Sequence, residues 1–86
     1  MLPSDVLNLA RQKPFVPFRI YLADGRTLEV PHPDMILVGA GSVVVGTPDP
    51  ANPRVYSGVQ YVDMMLIVSL EPLPRPAPSQ AGAGGE

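Results

Sequence analysis

Apolar and polar positions alternate in two runs on either side of Ala23-Asp24-Gly25, within the stretch FRIYLADGRTLEV from Phe18 to Val30. Strict alternation predicts strands, and a short glycine-bearing gap between two such runs predicts a β-hairpin. The side-chain faces decide the register. A two-residue Asp-Gly turn would set Ile20 against Glu29 and Leu22 against Thr27, mixing apolar with polar on both faces. A three-residue loop, with a type I turn and Gly25 in the left-handed region, sets Phe18 against Val30 and Ile20 against Leu28. It also sets Arg19 against Glu29 and Tyr21 against Thr27 on the opposite face. Only this register yields one apolar and one polar face, as a half-buried antiparallel pair requires.

Upstream of the hairpin, Val6, Leu9 and Ala10 recur at helical spacing, with Leu7 at the margin of the stripe. Ser4 as N-cap, Asp5 in the first turn, Arg11 and Lys13 at the far end and Pro14 as terminator predict a helix from Ser4 to Gln12. At under three turns it cannot persist alone and must dock on the sheet. Pro14 and Pro17 force an extended path into the first strand. Phe15 and Phe18, the only phenylalanines, are expected to be buried where helix and sheet meet.

Downstream, Pro31-His32-Pro33-Asp34 breaks the second strand, because proline cannot donate to a ladder. Met35 to Val38 is a short apolar run, and Gly39 to Ser42 is a turn by composition. Val43-Val44-Val45 is a strand by its β-branched residues, Thr47 to Pro53 a polar loop, and Val55 to Tyr61 an alternating strand. Val62-Asp63-Met64 reads as a tight turn with Asp63 as its cap. In the last strand Leu66, Val68 and Leu70 alternate with Ile67, Ser69 and Glu71. The expected fold class is mainly β: a short N-terminal helix and five strands in one strongly bent antiparallel sheet that curls toward a small barrel.

Length confines the 86 residues to one domain. Residues 1–71 form the predicted folding unit. Residues 72–86, rich in Pro, Ala and Gly, read as an extended and then disordered tail. Pro72, Pro74, Pro76 and Pro78 around Arg75 have the spacing of a polyproline II ligand, although a solubilising tail is the simpler reading. A domain this small builds a modest core. With no cysteine to staple it, oligomerisation is the common remedy. The same lack of cysteine fits a reducing compartment. No basic segment leads into an apolar one at the N-terminus, and no apolar run approaches the roughly 18 residues of a membrane span. A cytoplasmic protein that does not use the membrane is expected.

The formal charge of −2 is a poor footprint for nucleic-acid binding. It is unevenly spread, since Arg11, Lys13, Arg19 and Arg26 all precede residue 27 and only Asp5 and Asp24 oppose them. Those four cations are the candidate RNA contacts of an alternative reading. Catalytic constellations are wanting. His32 is the one histidine, with Asp34 two positions on, whereas a metal site needs at least three protein ligands. Asp24, Glu29, Asp49 and Asp63 have no ligand spacing, and no serine sits in a nucleophile elbow. Gly39-Ala40-Gly41 lacks the helix and lysine of a phosphate cradle. No catalytic, metal-binding or cofactor-binding residue is assigned, and no cofactor is expected. The apolar residues point elsewhere. In a strand Val43 and Val45 face one way and Val44 the other, and Val68 opposes Ile67. If Val43, Val45 and Val68 fill the interior, Val44 and Ile67 face outward as a candidate interface.

Two resemblances follow from this layout. Lys13-Pro14-Phe15, Pro17-Phe18-Arg19-Ile20, Leu22-Ala23-Asp24-Gly25-Arg26, Pro31-His32-Pro33-Asp34, Val62-Asp63 and Leu66 to Glu71 resemble a set of short bacterial proteins. That set carries a KPFxPFxIxLADGR, HP[DE] and IDLLLVTSLE pattern. The likeness covers nearly all of the folded part, implies a bacterial, cytoplasmic protein and imports no activity. More distantly, a helix followed by the hairpin and three further strands resembles the element order of SH3-like and, above all, Sm-like small barrels. The Sm-like resemblance implies RNA binding. His32 to Met35 lacks the Asn of that family's RNA loop, however, and Tyr56-Ser57-Gly58 lacks the basic residue of its second motif. The leading expectation is a non-enzymatic protein-interaction or self-assembly module that acts as a homo-oligomer or with a protein partner. Sm-like RNA binding is the alternative, and a small enzyme or metal protein ranks last.

Overall fold

The computed structural model describes residues 1–74. The helix α1 spans Pro3–Ala10 and is followed by six strands: β1 (Phe18–Leu22), β2 (Thr27–Val30), β3 (Ile36–Val38), β4 (Ser42–Pro48), β5 (Tyr56–Asp63) and β6 (Ile67–Pro72). A 3₁₀ turn at Pro33–Met35 separates β2 from β3, and another at Met64–Leu66 separates β5 from β6. The strands form two antiparallel sheets, sheet A in the order β2-β1-β6 and sheet B in the order β3-β4-β5.

The hairpin has the predicted register, with Phe18 opposite Val30, Arg19 opposite Glu29, Ile20 opposite Leu28 and Tyr21 opposite Thr27. Gly25 takes φ +91°. Its N–H donates to the Leu22 carbonyl at 3.0 Å, and the Leu22 N–H donates to the Arg26 carbonyl at 2.9 Å. Phe18, Ile20, Leu22, Leu28 and Val30 are all buried, so the apolar face reads through the whole hairpin.

Two expectations need correction. Ser4 is not the cap of α1. Leu2 holds that position with Pro3 in the first turn, where its missing N–H costs no bond. The Asp5 carboxylate accepts from the Leu2 N–H at 3.2 Å, and the helix ends at Ala10 rather than Gln12. The second correction is the strand count. Met35 to Val38 yields a sixth strand, β3, and the five-stranded bent sheet gives way to two three-stranded sheets. Pro31 and Pro33 explain this, because proline between β2 and β3 interrupts any continuous ladder. At the C-terminal end β6 extends to Pro72. The ladder runs one residue past Glu71, and the Leu73 N–H donates to the Pro17 carbonyl at 2.8 Å. The proposed tail ligand and the predicted disorder fall, from Arg75 onward, outside the described residues.

One core serves both sheets. Ile20, Leu22, Val30 and Ile67 of sheet A cluster with Ile36, Val43, Val45 and Val62 of sheet B, while Val6 and Ala10 bring α1 onto them. Phe18 is fully buried and Phe15 packs half-buried beside it, with ring centroids 6.1 Å apart. Each fully buried Phe, Ile or Val side chain contributes about 1.5–3 kcal/mol by its removal from water.

Two stability measurements check this account. Gly25→Val should lower the unfolding free energy by at least about 1 kcal/mol, the steric cost of a β-carbon at positive φ; an unchanged denaturant midpoint would refute the turn. Truncation after Glu71 should melt lower than truncation after Pro74. The difference should be about 1 kcal/mol, the usual worth of one backbone hydrogen bond such as that from Leu73 to Pro17.

Candidate interaction surface

The outer faces of the two sheets differ in chemistry because their strands place different residues opposite the core. On sheet A the outward positions of β1 and its neighbours are Arg19, Tyr21, Thr27, Glu29, Ser69 and Glu71. Arg19 lies between two carboxylates. Its Nε and Nη2 donate to Glu29 Oε2 at 3.1 and 2.6 Å, and its Nη1 lies 3.6 Å from Glu71 Oε1. Nη1 also donates to the Tyr21 hydroxyl at 3.4 Å, and that hydroxyl donates to Glu71. Hydrogen bonding to Tyr21 and then to Glu29 holds the Arg19 guanidinium more firmly protonated than usual. At the hairpin tip the Asp24 carboxylate accepts from the Arg26 backbone N–H at 3.0 Å and from Arg26 Nε at 2.8 Å. Those bonds hold Asp24 below its ordinary carboxylate range.

Of the four cations considered for RNA, Arg19 and Arg26 therefore face carboxylates. Arg11 and Lys13 are exposed just beyond α1. The fold places Arg19 on the polar face of the hairpin, Arg26 at its tip, where Nη1 also donates to Gln60 Oε1 at 3.4 Å, and the other two at a helix end, so the sequence cluster is dispersed.

On sheet B the central outward positions are apolar, with the polar pair Ser42 and Asp63 at one end. The register sets Leu37 beside Val44 and Val44 beside Tyr61, one residue from each strand in a single row. Leu37 is 70% exposed and Tyr61 78%, with Val44 half-buried between them. The next pair on that face is Gly46 with Val59. Glycine at position 46 has a packing reason. The Tyr56 ring lies 3.1 Å from where a β-carbon would stand, so the ring rests on bare backbone. The Tyr56 hydroxyl donates to the Asp34 carbonyl at 2.8 Å, which holds the ring across the sheet.

Val44 thus lies on the outer face as expected, and Val43 and Val45 lie inside. Ile67 does not lie outside. It is a core residue, while Val68 is 58% exposed. A bulge causes the inversion. β6 pairs Tyr21 with Ser69 and Leu22 with Ile67, so Val68 is an extra residue in the ladder and the alternation loses its phase there. Tyr61, Leu37 and Val59 complete the surface and were not singled out in the sequence. Alternation along Val55 to Tyr61 already put Val59 and Tyr61 on one face, but the sequence does not say that Val44 lies beside that face.

The other candidates resolve into structure. His32 and Asp34 border a cleft of about 280 Å³ with Met35, Pro53, Arg54 and Tyr56. The kink there is held through backbone carbonyls, His32 accepting from the Met35 N–H and Asp34 from Tyr56. Among the described residues no three His, Cys, Asp or Glu side chains group as metal ligands. No described helix is long and apolar enough to cross a membrane. Asp63 caps the 3₁₀ turn before β6, its Oδ1 accepting from the Met65 N–H at 2.9 Å.

Comparison of the chain with protein-family models, with curated proteins and with solved structures finds no match.

The Asp63 assignment is checked by a pair of variants. Asp63→Ala should cost about 1 kcal/mol of stability, the usual loss on removing a cap, and Asp63→Asn should recover most of it because an amide oxygen caps as well. Equal losses in the two variants would remove the cap from the account.

Proposed function

We propose that this chain is a non-enzymatic self-assembly module that associates with further copies of itself through the outer face of sheet B. The observation that carries the reading is the row Leu37–Val44–Tyr61, whose outer members are 70% and 78% exposed. Single exposed apolar side chains are ordinary on any protein. Three in register on adjacent strands, with Val59 and the Tyr56 ring continuing the surface, form a contiguous patch of the kind that marks an interface. The polar face of sheet A, with Arg19 between Glu29 and Glu71, offers no such patch. The modest size of the domain points the same way, because covering this face would add apolar burial that a single small core supplies sparingly. Tyrosine is among the residues that carry most of the association energy at the centre of such surfaces, which singles out Tyr61 in the row.

The test is mass in solution. The wild-type chain should scatter light as more than one copy at high concentration. Val44→Lys with Tyr61→Lys should return it to a single copy while leaving the far-ultraviolet circular dichroism unchanged, since both side chains point away from the core. Ile67→Lys is unsuited to this test, because a charge in the core would unfold the chain. A wild-type chain that is monomeric at every accessible concentration would overturn the proposal.

A further inference from the structure

Each sheet has two free edges, and three of the four are blunted. The ladder phase identifies which backbone groups lie at each. The Leu73 N–H bonds to Pro17, and the same phase joins Glu71 and Ser69 to β1, leaving Leu70 and Pro72 outward on β6. That edge is interrupted by the bulge at Val68 and by a proline that has no N–H to offer. β2 has four residues, turns the charged Glu29 outward and stops at Pro31. β3 has three residues and lies against α1.

β5 is different. The Met64 N–H bonds to the Gly41 carbonyl, and that phase joins Val62, Gln60 and Gly58 to β4. The N–H and C=O groups of Val59, Tyr61 and Asp63 therefore point away from the sheet. Among the described residues no backbone group bonds to those of Val59 or Tyr61. β5 is the longest strand, has no proline between Tyr56 and Asp63, and carries no charge before Asp63. A row of unpaired donors and acceptors on such an edge is a template for another strand.

We infer that the second copy adds through this edge: β5 pairs antiparallel with β5 of another copy about a two-fold axis at Gln60, joining two B sheets into one. The inference rests on the self-assembly reading above in taking a second copy as the occupant, and it adds a contact beside the outer face: the edge joins two chains, while the face, with Leu37 and Val44 still uncovered, is left for further copies. Outward-bonding residues must meet one another, which leaves three registers near the strand centre. Centred on Val59, the pairing sets Tyr61 against Ser57, which lies in the irregular stretch where β5 slips against Thr47 and Pro48. Centred on Tyr61, it sets Val59 against the charged Asp63. Centred on Gln60, it sets Tyr61 of each copy against Val59 of the other, an aromatic and a β-branched residue on one face. The apolar row then runs unbroken from Leu37, Val44 and Tyr61 onto Val59 of the second copy. Charge permits it as well. The two Asp63 carboxylates fall at opposite ends of the shared ladder, roughly 20 Å apart at the rise of a strand and beyond the screening length of physiological salt. Because a two-fold contact uses the same edge on both copies, it closes at two.

Cysteine cross-linking tests the register, in a chain that has no cysteine of its own. Facing Gln60 residues form a non-hydrogen-bonded pair, whose short separation suits a disulfide. Gln60→Cys under mild oxidation should convert most of the chain to a covalent dimer on a non-reducing gel. Ser57→Cys should stay monomeric under the same conditions, and adding Tyr61→Lys to Gln60→Cys should abolish the dimer. The unmodified chain gives a second reading by amide exchange. The N–H groups of Val59 and Tyr61 should exchange at least about tenfold more slowly as concentration rises through the association range, while that of Leu70 should not change. A light-scattering dimer in which Ser57→Cys cross-links as well as Gln60→Cys, or in which the Val59 and Tyr61 amides stay unprotected, would overturn this geometry and leave the self-assembly reading standing. A chain monomeric throughout would overturn both.

Discussion

The left-handed backbone at Gly25 is the constraint on which the rest of the molecule depends. It fixes a three-residue turn, and the turn fixes which residues of β1 face inward. A slip by one position would place Arg19 and Tyr21 in the core and Ile20 in water. β1 is also the central strand of sheet A, so its phase is imposed on β6 as well as on β2. The Arg19–Glu29–Glu71 network depends on the same choice. Arg19 meets a carboxylate on each side because both neighbouring strands adopt the register that β1 dictates.

The two faces of the molecule follow from two different residue vocabularies. Sheet A alternates large apolar with charged or hydroxyl-bearing residues, so its outer surface is wet and internally paired. The middle of β4 in sheet B is apolar on both sides, as Val43-Val44-Val45, so the centre of its outer surface is dry. Burial on one side was enough to form β4; what the other side faces is a separate matter. Tyr56 has met part of that demand within the chain by laying its ring over Gly46. Leu37 and Tyr61 have no equivalent cover among the described residues, and both stand more than two-thirds exposed.

The hairpin was legible because its evidence was local: eight paired positions, one glycine and only one register that sorts the faces. Asp63 was legible for the same reason, as a carboxylate in an apolar stretch beside a turn. The phase of β6 was not legible. Leu66, Val68 and Leu70 alternate well on paper, yet the extra residue at Val68 is specified by pairing with Tyr21 and Leu22, more than forty positions earlier. Division into two sheets was not legible either, because β3 is only three residues long and sits behind a pair of prolines. One residue of the row, Val44, was readable. The other two, Leu37 and Tyr61, required knowing which strands lie on either side of β4.

The pairing of β1 with β6 has a kinetic consequence. The hairpins β1–β2, β3–β4 and β4–β5 join neighbours in sequence, so they can form early and quickly. Phe18 and Pro72 are fifty-four positions apart, and bringing them together closes a long loop whose entropy must be overcome before any of its contacts are gained. Until it closes, the backbone groups of Arg19 and Tyr21 stand open on a strand whose other face carries Phe18, Ile20 and Leu22. During that interval the central strand of the finished protein is itself an unguarded edge, and the rate at which the chain returns to cover it sets how long the folding molecule is exposed to its neighbours.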